Sequence, residues 1–447
     1  MRTQVFYFLS IPDRRKWYTG IGFSTRGVMK KSPKEPTAGA AVDCVAQECT
    51  GVGYDKLRMV DLFAGAGGLS EGLSMAGFES LFASEIVPAY ARTYQWNHSR
   101  ALVQTADIRE LDPVKVMREL DIRKGDLDLI AGGPPCQGFS INAPVRSMQD
   151  HRNHLFKEYL RFVEAFAPRA VLIENVPGLV SFEHGATLHA ILEALAQLGY
   201  GADVHILGAA YYGVPQMRWR TIIIGLRGKI VPAYAFPEPV RHAPIRPNFT
   251  TVFDGRPLVK TPTPETAAPF TTVREALSDL PPLACGEKGA PVKEYATPPT
   301  CDYQRWSRTG SGGVYNHEAS NLSDINLERL KHIKPGGNWT DIPDSLLPAG
   351  MKRARKSDHT KRYGRVDPDG LGSTILTKCD PHWGAYFHYN QERAFTVREA
   401  ARIQSFPDHF VFTGTMAEQF AQVGNAVPPL LAESVGLSIR NVLQEVR

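Results

Sequence analysis

The sequence predicts an α/β chain: a doubly wound, mostly parallel sheet flanked by helices, followed by a smaller irregular module. Between residues 57 and 226, short apolar runs alternate with stretches whose apolar residues recur at helical spacing, and strand, helix, strand repeated in this way builds a parallel sheet. Several of the runs end in glycine- or proline-rich turns, where such folds place ligands. After about residue 230 the period is lost, and residues 231–300 hold 14 of the 33 prolines, too many for long helices or central strands.

Residues 1–55 mix short aromatic clusters with Lys30-Lys31-Ser32-Pro33-Lys34-Glu35-Pro36 and show no sustained period. They read as a loosely ordered extension, dispensable for activity because the fold begins at Leu57. Leu57 to Phe63 is an apolar run that meets a glycine turn, and Leu69, Leu73 and Ala76 then repeat at helical spacing until Gly77 stops the helix. Leu127 to Ala131 and Ala170 to Ile173 predict two further strands. Between them, Leu155, Tyr159, Phe162, Val163 and Phe166 mark an amphipathic helix. A helix on Leu188, Ile191, Leu192, Leu195 and Leu198 and a strand at Thr221 to Leu226 complete the series. Helical pattern returns near Val397 and continues to the C-terminus.

Composition narrows the class. The 447 residues carry 51 Lys+Arg against 46 Asp+Glu, and 43% are apolar, ample for a core and unlike a disordered, collagenous or disulfide-stapled chain. At roughly 150 residues per domain, two or three domains are expected. The cysteines at 44, 49, 136, 285, 301 and 379 form no CxxC pair, so neither a disulfide framework nor a metal site is expected, and a reducing cytoplasm is the default. No apolar stretch approaches the length of a membrane span. The run Val5 to Leu9, soon followed by Asp13-Arg14-Arg15-Lys16, is too short for a secretory signal.

Asp61-Leu62-Phe63-Ala64-Gly65-Ala66-Gly67-Gly68 stands between a strand and a helix, where glycine lets a ligand approach the backbone and the helix end offers free N–H groups. Glu85, twenty residues after Gly65, is placed to take the hydroxyls of a ribose. Asp107, after a third short segment, can accept from an exocyclic amine. A tight turn in a sheet protein explains the glycines equally well. The two acids tilt the reading towards an adenosine-containing ligand, and the pattern is not GxGxxG.

Gly132-Gly133-Pro134-Pro135-Cys136-Gln137-Gly138-Phe139-Ser140 follows directly on an apolar run. A thiol in that loop can act as a nucleophile if a partner activates it, although a lone cysteine is more often buried and inert. Glu174-Asn175-Val176-Pro177 ends the next strand, so the Glu174 carboxyl can stand beside that loop, protonated if crowded, or can simply cap a helix. In Gln216-Met217-Arg218-Trp219-Arg220, Arg218 and Arg220 point to one face of an extended stretch, suited to phosphates or to holding a carboxylate.

Together these segments resemble a cytosine-C5 DNA methyltransferase of the bacterial type. Six blocks stand in the family's order: DLFAGAGG at 61–68, GGPPCQGFS at 132–140, ENV at 174–176, QMRWR at 216–220, REAARIQSFPD at 398–408 and GNAVPP at 424–429. The resemblance implies a Rossmann-like class I methyltransferase sheet with a target-recognition domain. It divides the chain into the extension 1–55, a catalytic part 56–230, a target-recognition part 231–390 and a segment 391–447 that returns to the catalytic part. S-adenosylmethionine, leaving as S-adenosylhomocysteine, would lie against Phe63, Gly65, Gly67, Gly68, Glu85, Ile86, Asp107, Ile108 and Asn425. Cys136 would be the nucleophile, Pro135 would shape its loop, Glu174 would contact the N3 side of cytosine, and Arg218 and Arg220 would steady the site.

By the same resemblance, the Cys136 thiolate attacks C6 of a flipped-out base and makes C5 nucleophilic. The partner implied is double-stranded DNA, with a cognate restriction endonuclease acting separately or none at all. A monomer without metal or membrane is expected. Residues 231–390 would bind the duplex, with Lys352, Arg353, Arg355, Lys356, Lys361, Arg362 and Arg365 on phosphates, although a solvated loop accounts for the same charges. The alternatives are the same reaction on transfer RNA, a non-catalytic DNA-binding relative, and a cysteine hydrolase, for which no His is placed as base.

Overall fold

The computed structural model describes residues 56–135, 155–263 and 265–445. The expected extension and the segment carrying Cys136 lie outside them.

The alternation of apolar runs and helical periods produces β1 (Leu57–Leu62), α1 (Gly68–Met75), β2 (Phe78–Ser84), α2 (Pro88–Asn97), β3 (Leu102–Gln104), α3 (Pro113–Glu119), β4 (Leu129–Gly132), α4 (Leu155–Phe166), β5 (Ala170–Asn175), α5 (Gly178–Ser181), α6 (Ala186–Gln197), β6 (Tyr200–Gly208) and β7 (Trp219–Arg227). The seven strands form one sheet in the order β3-β2-β1-β4-β5-β7-β6. The first five pair in parallel, whereas β7 runs antiparallel to both β5 and β6. The predicted α/β class and mostly parallel sheet are therefore present. The sequence reading missed β6, in which Gly201 and Asp203 dilute the apolar pattern.

Residues alternate between the two faces of the sheet. Met59 enters one core layer with Leu73, Val435 and Ile439; Val60 and Leu62 enter the opposite layer with Phe162, Phe166 and Leu188. Period-two burial on both faces is what a central parallel strand requires.

Residues 231–390 form strands of only two residues and the short helices α7 (Val273–Leu277), α8 (Asp302–Arg308) and α9 (Asp324–His332). Helices α10 (Val397–Ile403), α11 (Met416–Asn425) and α12 (Pro429–Gln444) follow. Helix α12 crosses back to α1 through a pair of glycines. A Cβ added at Gly72 would stand 2.2 Å from the Pro429 carbonyl oxygen, and one at Gly436 would stand 2.7 Å from the Ala76 Cβ. Helices α10 and α11 instead share a core with Val273, Leu277, Val366 and Tyr386.

Candidate active site

Parallel strands bring their carboxyl ends to one edge, so the turn after β1, Glu85 after β2, Pro134 and Pro135 after β4, and Glu174 near the end of β5 converge. Antiparallel β7 contributes its first residues to that edge, because Thr221 pairs with Asn175. Arg220 therefore arrives beside Glu174. From the far end of the chain, Gly424, Asn425 and Val427 reach the same place. A cavity of about 470 Å³ opens between them, lined by Asp61, Phe63, Gly65, Gly68, Glu85, Ile86, Tyr90, Pro135, Glu174, Arg220 and Asn425, among others. An adjoining cavity of about 190 Å³ shares Phe63, Glu85, Ile86 and Pro135 and adds Asp107, Ile108 and Arg109.

The turn after β1 departs from ordinary backbone. Phe63 has φ of 59°, Gly65 of 57° and Gly67 of 100°, values that side chains resist. Gly65 has nothing within 4 Å of where a Cβ would stand, whereas Gly67 packs against Tyr94 and His98 and does not line the cavity. Glu85 ties the turn down: Oε2 accepts the Gly65 N–H at 2.8 Å and Oε1 accepts that of Val87 at 2.7 Å. Burial raises its pKa, and these backbone donors oppose the rise. Each carboxylate oxygen keeps a lone pair for a further donor. Ile86 is 60% exposed, a bare apolar side chain facing both cavities.

Asp107 accepts the Arg109 N–H at 3.0 Å, and its oxygens take the Arg109 Nε at 2.9 and 3.1 Å. These bonds from Arg109 hold its pKa below the ordinary value.

Glu174 and Arg220 form an ion pair on the cavity wall, both side chains nearly buried. Arg218 takes a different course from the one its spacing suggested. It is buried, lines neither cavity, and donates to the carbonyls of Ile375 at 3.2 Å, Gly424 at 2.9 Å and Ala426 at 3.0 Å. Burial first, and then the neighbouring Arg220, lower its pKa well below the usual value. The two arginines thus divide. Arg220 faces the cavity, and Arg218 laces the walls together from behind.

The sequence reading passed over Asp61. It is 1% exposed yet lines the cavity; Oδ2 accepts from the Ser70 hydroxyl at 2.6 Å and Oδ1 has no hydrogen-bond partner among the described residues. Ser70 in turn shares a hydrogen with Tyr94, and Tyr94 with Ser80. Burial pushes the Asp61 pKa up to about 7. The signal lay in the DLFAGAGG block itself, whose acid was read only as the block's start. Tyr90 was missed because it lies inside a helix with no motif around it.

The REAARIQSFPD block proves to be internal scaffolding. Arg402 is fully buried between Asp408, at 2.6 Å from both Nε and Nη2, and Asp279, at 3.1 Å from Nη1. Arg398 donates to the carbonyls of Pro407 and Phe410. Among the described residues no group of His, Cys, Asp and Glu is arranged to hold a metal ion, and no helix is long and apolar enough to cross a membrane.

The family described as C-5 cytosine-specific DNA methylase matches residues 57–441. The Type II methyltransferase M.AgeI of Thalassovita gelatinovora is 35% identical over 439 residues, covering 86% of this chain and 99% of that protein. The Type II methyltransferase M1.HphI of Haemophilus parahaemolyticus is 35% identical over 387 residues, covering 86% of each. A crystal structure assigned as a prophage-encoded DNA modification methyltransferase (E. coli) shares the fold, with a TM-score of 0.65 at 24% identity over 87% of this chain and all of that one.

Proposed function

We propose, from the premise that the chain belongs to the C-5 cytosine-specific DNA methylase family, that it moves a methyl group from S-adenosylmethionine to C5 of a cytosine within one duplex DNA sequence. In this reading it serves a restriction-modification pair or acts as a solitary modification enzyme. The observation that carries the proposal is the single cavity shared by the Phe63–Gly68 turn, Glu85, Pro135, Glu174, Arg220 and Asn425.

The cavity fits the cofactor by its donor set. Glu85 offers lone pairs for ribose hydroxyls, Ile86 and Phe63 offer apolar faces for a base, and Asp107, in the adjoining cavity, offers a carboxylate for an exocyclic amine. The orphaned Asp61 oxygen suits the methionyl ammonium, since a buried acid without a partner is stabilised by a cation. When bound, S-adenosylmethionine supplies a methyl group already activated on a sulfonium.

The chain's residues then prepare the acceptor. Cys136, as thiolate, adds to C6 of the extruded cytosine while Glu174 holds the N3 edge and shares a proton there. The new S–C6 bond moves ring electrons to C5, which becomes nucleophilic. Arg220 keeps the Glu174 carboxyl oriented. Once C5 carries the methyl group, its proton leaves and the S–C6 bond breaks, restoring the ring and the thiolate. Extrusion of the base costs a few kcal/mol, which binding of the duplex by residues 231–390 must offset.

Incubation with tritiated S-adenosylmethionine and either duplex DNA or transfer RNA tests the reading. Label in DNA is expected, and label confined to transfer RNA would overturn it. DNA containing 5-fluorocytosine should trap a covalent adduct that Cys136→Ser cannot form. An enzyme that methylates without ever forming that adduct would remove the covalent step.

A further inference from the structure

The basic run at 352–365 separates into parts with different fates. Arg365 turns inward, with Nε donating to the His388 carbonyl at 3.0 Å and Nη1 to that of Ile333 at 3.2 Å, so it is not free for phosphate as its sequence position suggested. Lys352, Arg353, Arg355, Lys356 and Lys361 are exposed, and none forms an ion pair with a described residue. Arg362 does something else. Its guanidinium lies 4.8 Å from the ring centroid of Trp383, with no hydrogen-bonded or ionic partner among the described residues.

Trp383 is 51% exposed, and its seat is rigid. The His382 ring meets the indole edge-on at 5.4 Å, and the Tyr363 hydroxyl is hydrogen-bonded to His382 Nδ1. Tyr363 is buried in a small core with Trp339 and Phe387. Its N–H donates to the Pro381 carbonyl at 2.6 Å, and that of Gly364 donates to Gly384 at 3.3 Å. The indole thus has the His382 ring against it at its base, and the Arg362 guanidinium, which has no described ionic partner, lies over its ring.

The other end of the same segment is tied to the candidate active site. Arg218 holds the Ile375 carbonyl, and Gly424, which lines the cavity, leaves room for Leu376 only because it lacks a Cβ, which would stand 2.4 Å from the Leu376 carbonyl carbon. From Leu376 to Trp383 the chain spans at most roughly 25 Å when fully extended. Trp383 therefore stands within reach of a duplex whose cytosine enters that cavity.

We propose that Trp383 is a base-stacking residue of the duplex-DNA interface, kept in place by Arg362 until DNA arrives. This rests on the DNA-methyltransferase reading above and adds to it a residue that contacts bases. An uncharged aromatic ring does nothing for a phosphate, but it matches the face of any base. On binding, the Arg362 guanidinium leaves the indole for a phosphate oxygen, where its bond is charge-assisted, and the uncovered ring face meets a base. The five exposed cations contact the flanking backbone.

The test is duplex binding by the full chain over a salt series, with S-adenosylhomocysteine binding and melting temperature as checks on folding. Trp383→Ala is expected to weaken binding by about ten- to a hundredfold without changing the salt slope. Trp383→Phe should recover most of the loss. A Lys352→Ala, Arg353→Ala, Lys356→Ala triple variant should instead flatten the slope by about 2 to 3. If Trp383→Ala unfolds, Trp383→Leu keeps the bulk without the ring and is expected to show the same loss. Wild-type affinity in the Ala or Leu variant, or a loss that appears only as a changed slope, overturns the stacking role while leaving the enzyme reading intact. A wild-type chain that binds structured RNA and no duplex overturns both.

Discussion

The Ser70 hydroxyl donates to Asp61 Oδ2 at 2.6 Å, and Oδ1, on the cavity wall, has no partner among the described residues. One side of the carboxyl is held by a chain of hydroxyls through Tyr94 to Ser80, and the other side faces where a ligand would lie. An acid with a folded-state pKa near 7 is a native-state liability that a bound cation relieves.

The Asp61 pKa is raised on folding from 3.8 to about 7, so its ionisation disfavours the native state, increasingly as pH climbs from about 4 to about 7. Asp61→Asn should therefore be more stable than wild type at pH 8, by roughly 4 kcal/mol at most. The gain should shrink as pH falls below 7. Calorimetric melting at pH 5 and pH 8 checks this. In the same variant, affinity for S-adenosylhomocysteine should fall about tenfold or more, and affinity for methylthioadenosine, which has no ammonium, should not.

Gly65, in the turn after β1, and Gly72, in α1, should respond to different degrees. Gly72→Ala drives a Cβ into the Pro429 carbonyl and should separate α12 from α1, costing about 3 kcal/mol or more. Gly65→Ala meets nothing and pays only for its left-handed φ, about 1–2 kcal/mol. Denaturant midpoints distinguish the two, and equal losses would mean that α12 is not seated as described.

Arg218 and Arg220 should separate stability from activity. Arg218→Met strands the buried carbonyls of Ile375 and Gly424, while that of Ala426 keeps the Gln404 amide at 2.6 Å; each stranded group costs about 1–3 kcal/mol, and the melting temperature should fall sharply. Arg220→Met frees the Glu174 carboxyl at the cavity wall and should reduce turnover far more than stability. A paired measurement of melting and methyl transfer suffices.

Arg402→Ala removes the cation shared by buried Asp279 and Asp408, leaving Asp279 to Arg308 at 2.7 Å and Asp408 to Arg398 at 3.7 Å, and should destabilise by about 3 kcal/mol. Burial opposes ionisation of Asp408, but Arg402 outweighs it and holds the pKa below normal. In wild type this group's stabilisation is present above pH 4 and disappears as pH falls through the depressed folded value. Acid denaturation of wild type and variant should therefore differ in steepness at low pH.

Much of the element order from Leu57 to Leu226, β6 excepted, was readable because strand and helix periods and turn chemistry are properties of a few neighbouring residues. So was the convergence of Glu85, Pro135 and Glu174, since parallel strands must end on one edge. The short strands and helices of residues 231–390 were not, because they take their form from packing rather than from a period of their own.

What the sequence alone determined was the fold class, the order of the blocks and the residue types gathered at the carboxyl edge of the sheet. Only the tertiary structure decided which of two similar arginines faces the cavity, that Asp61 is buried with one oxygen unpaired among the described residues, and that Arg365 turns away from solvent. The reason is distance along the chain: Arg218 finds its carbonyl partner at Gly424, 206 residues away, and burial of a charge depends on partners that no local pattern can name.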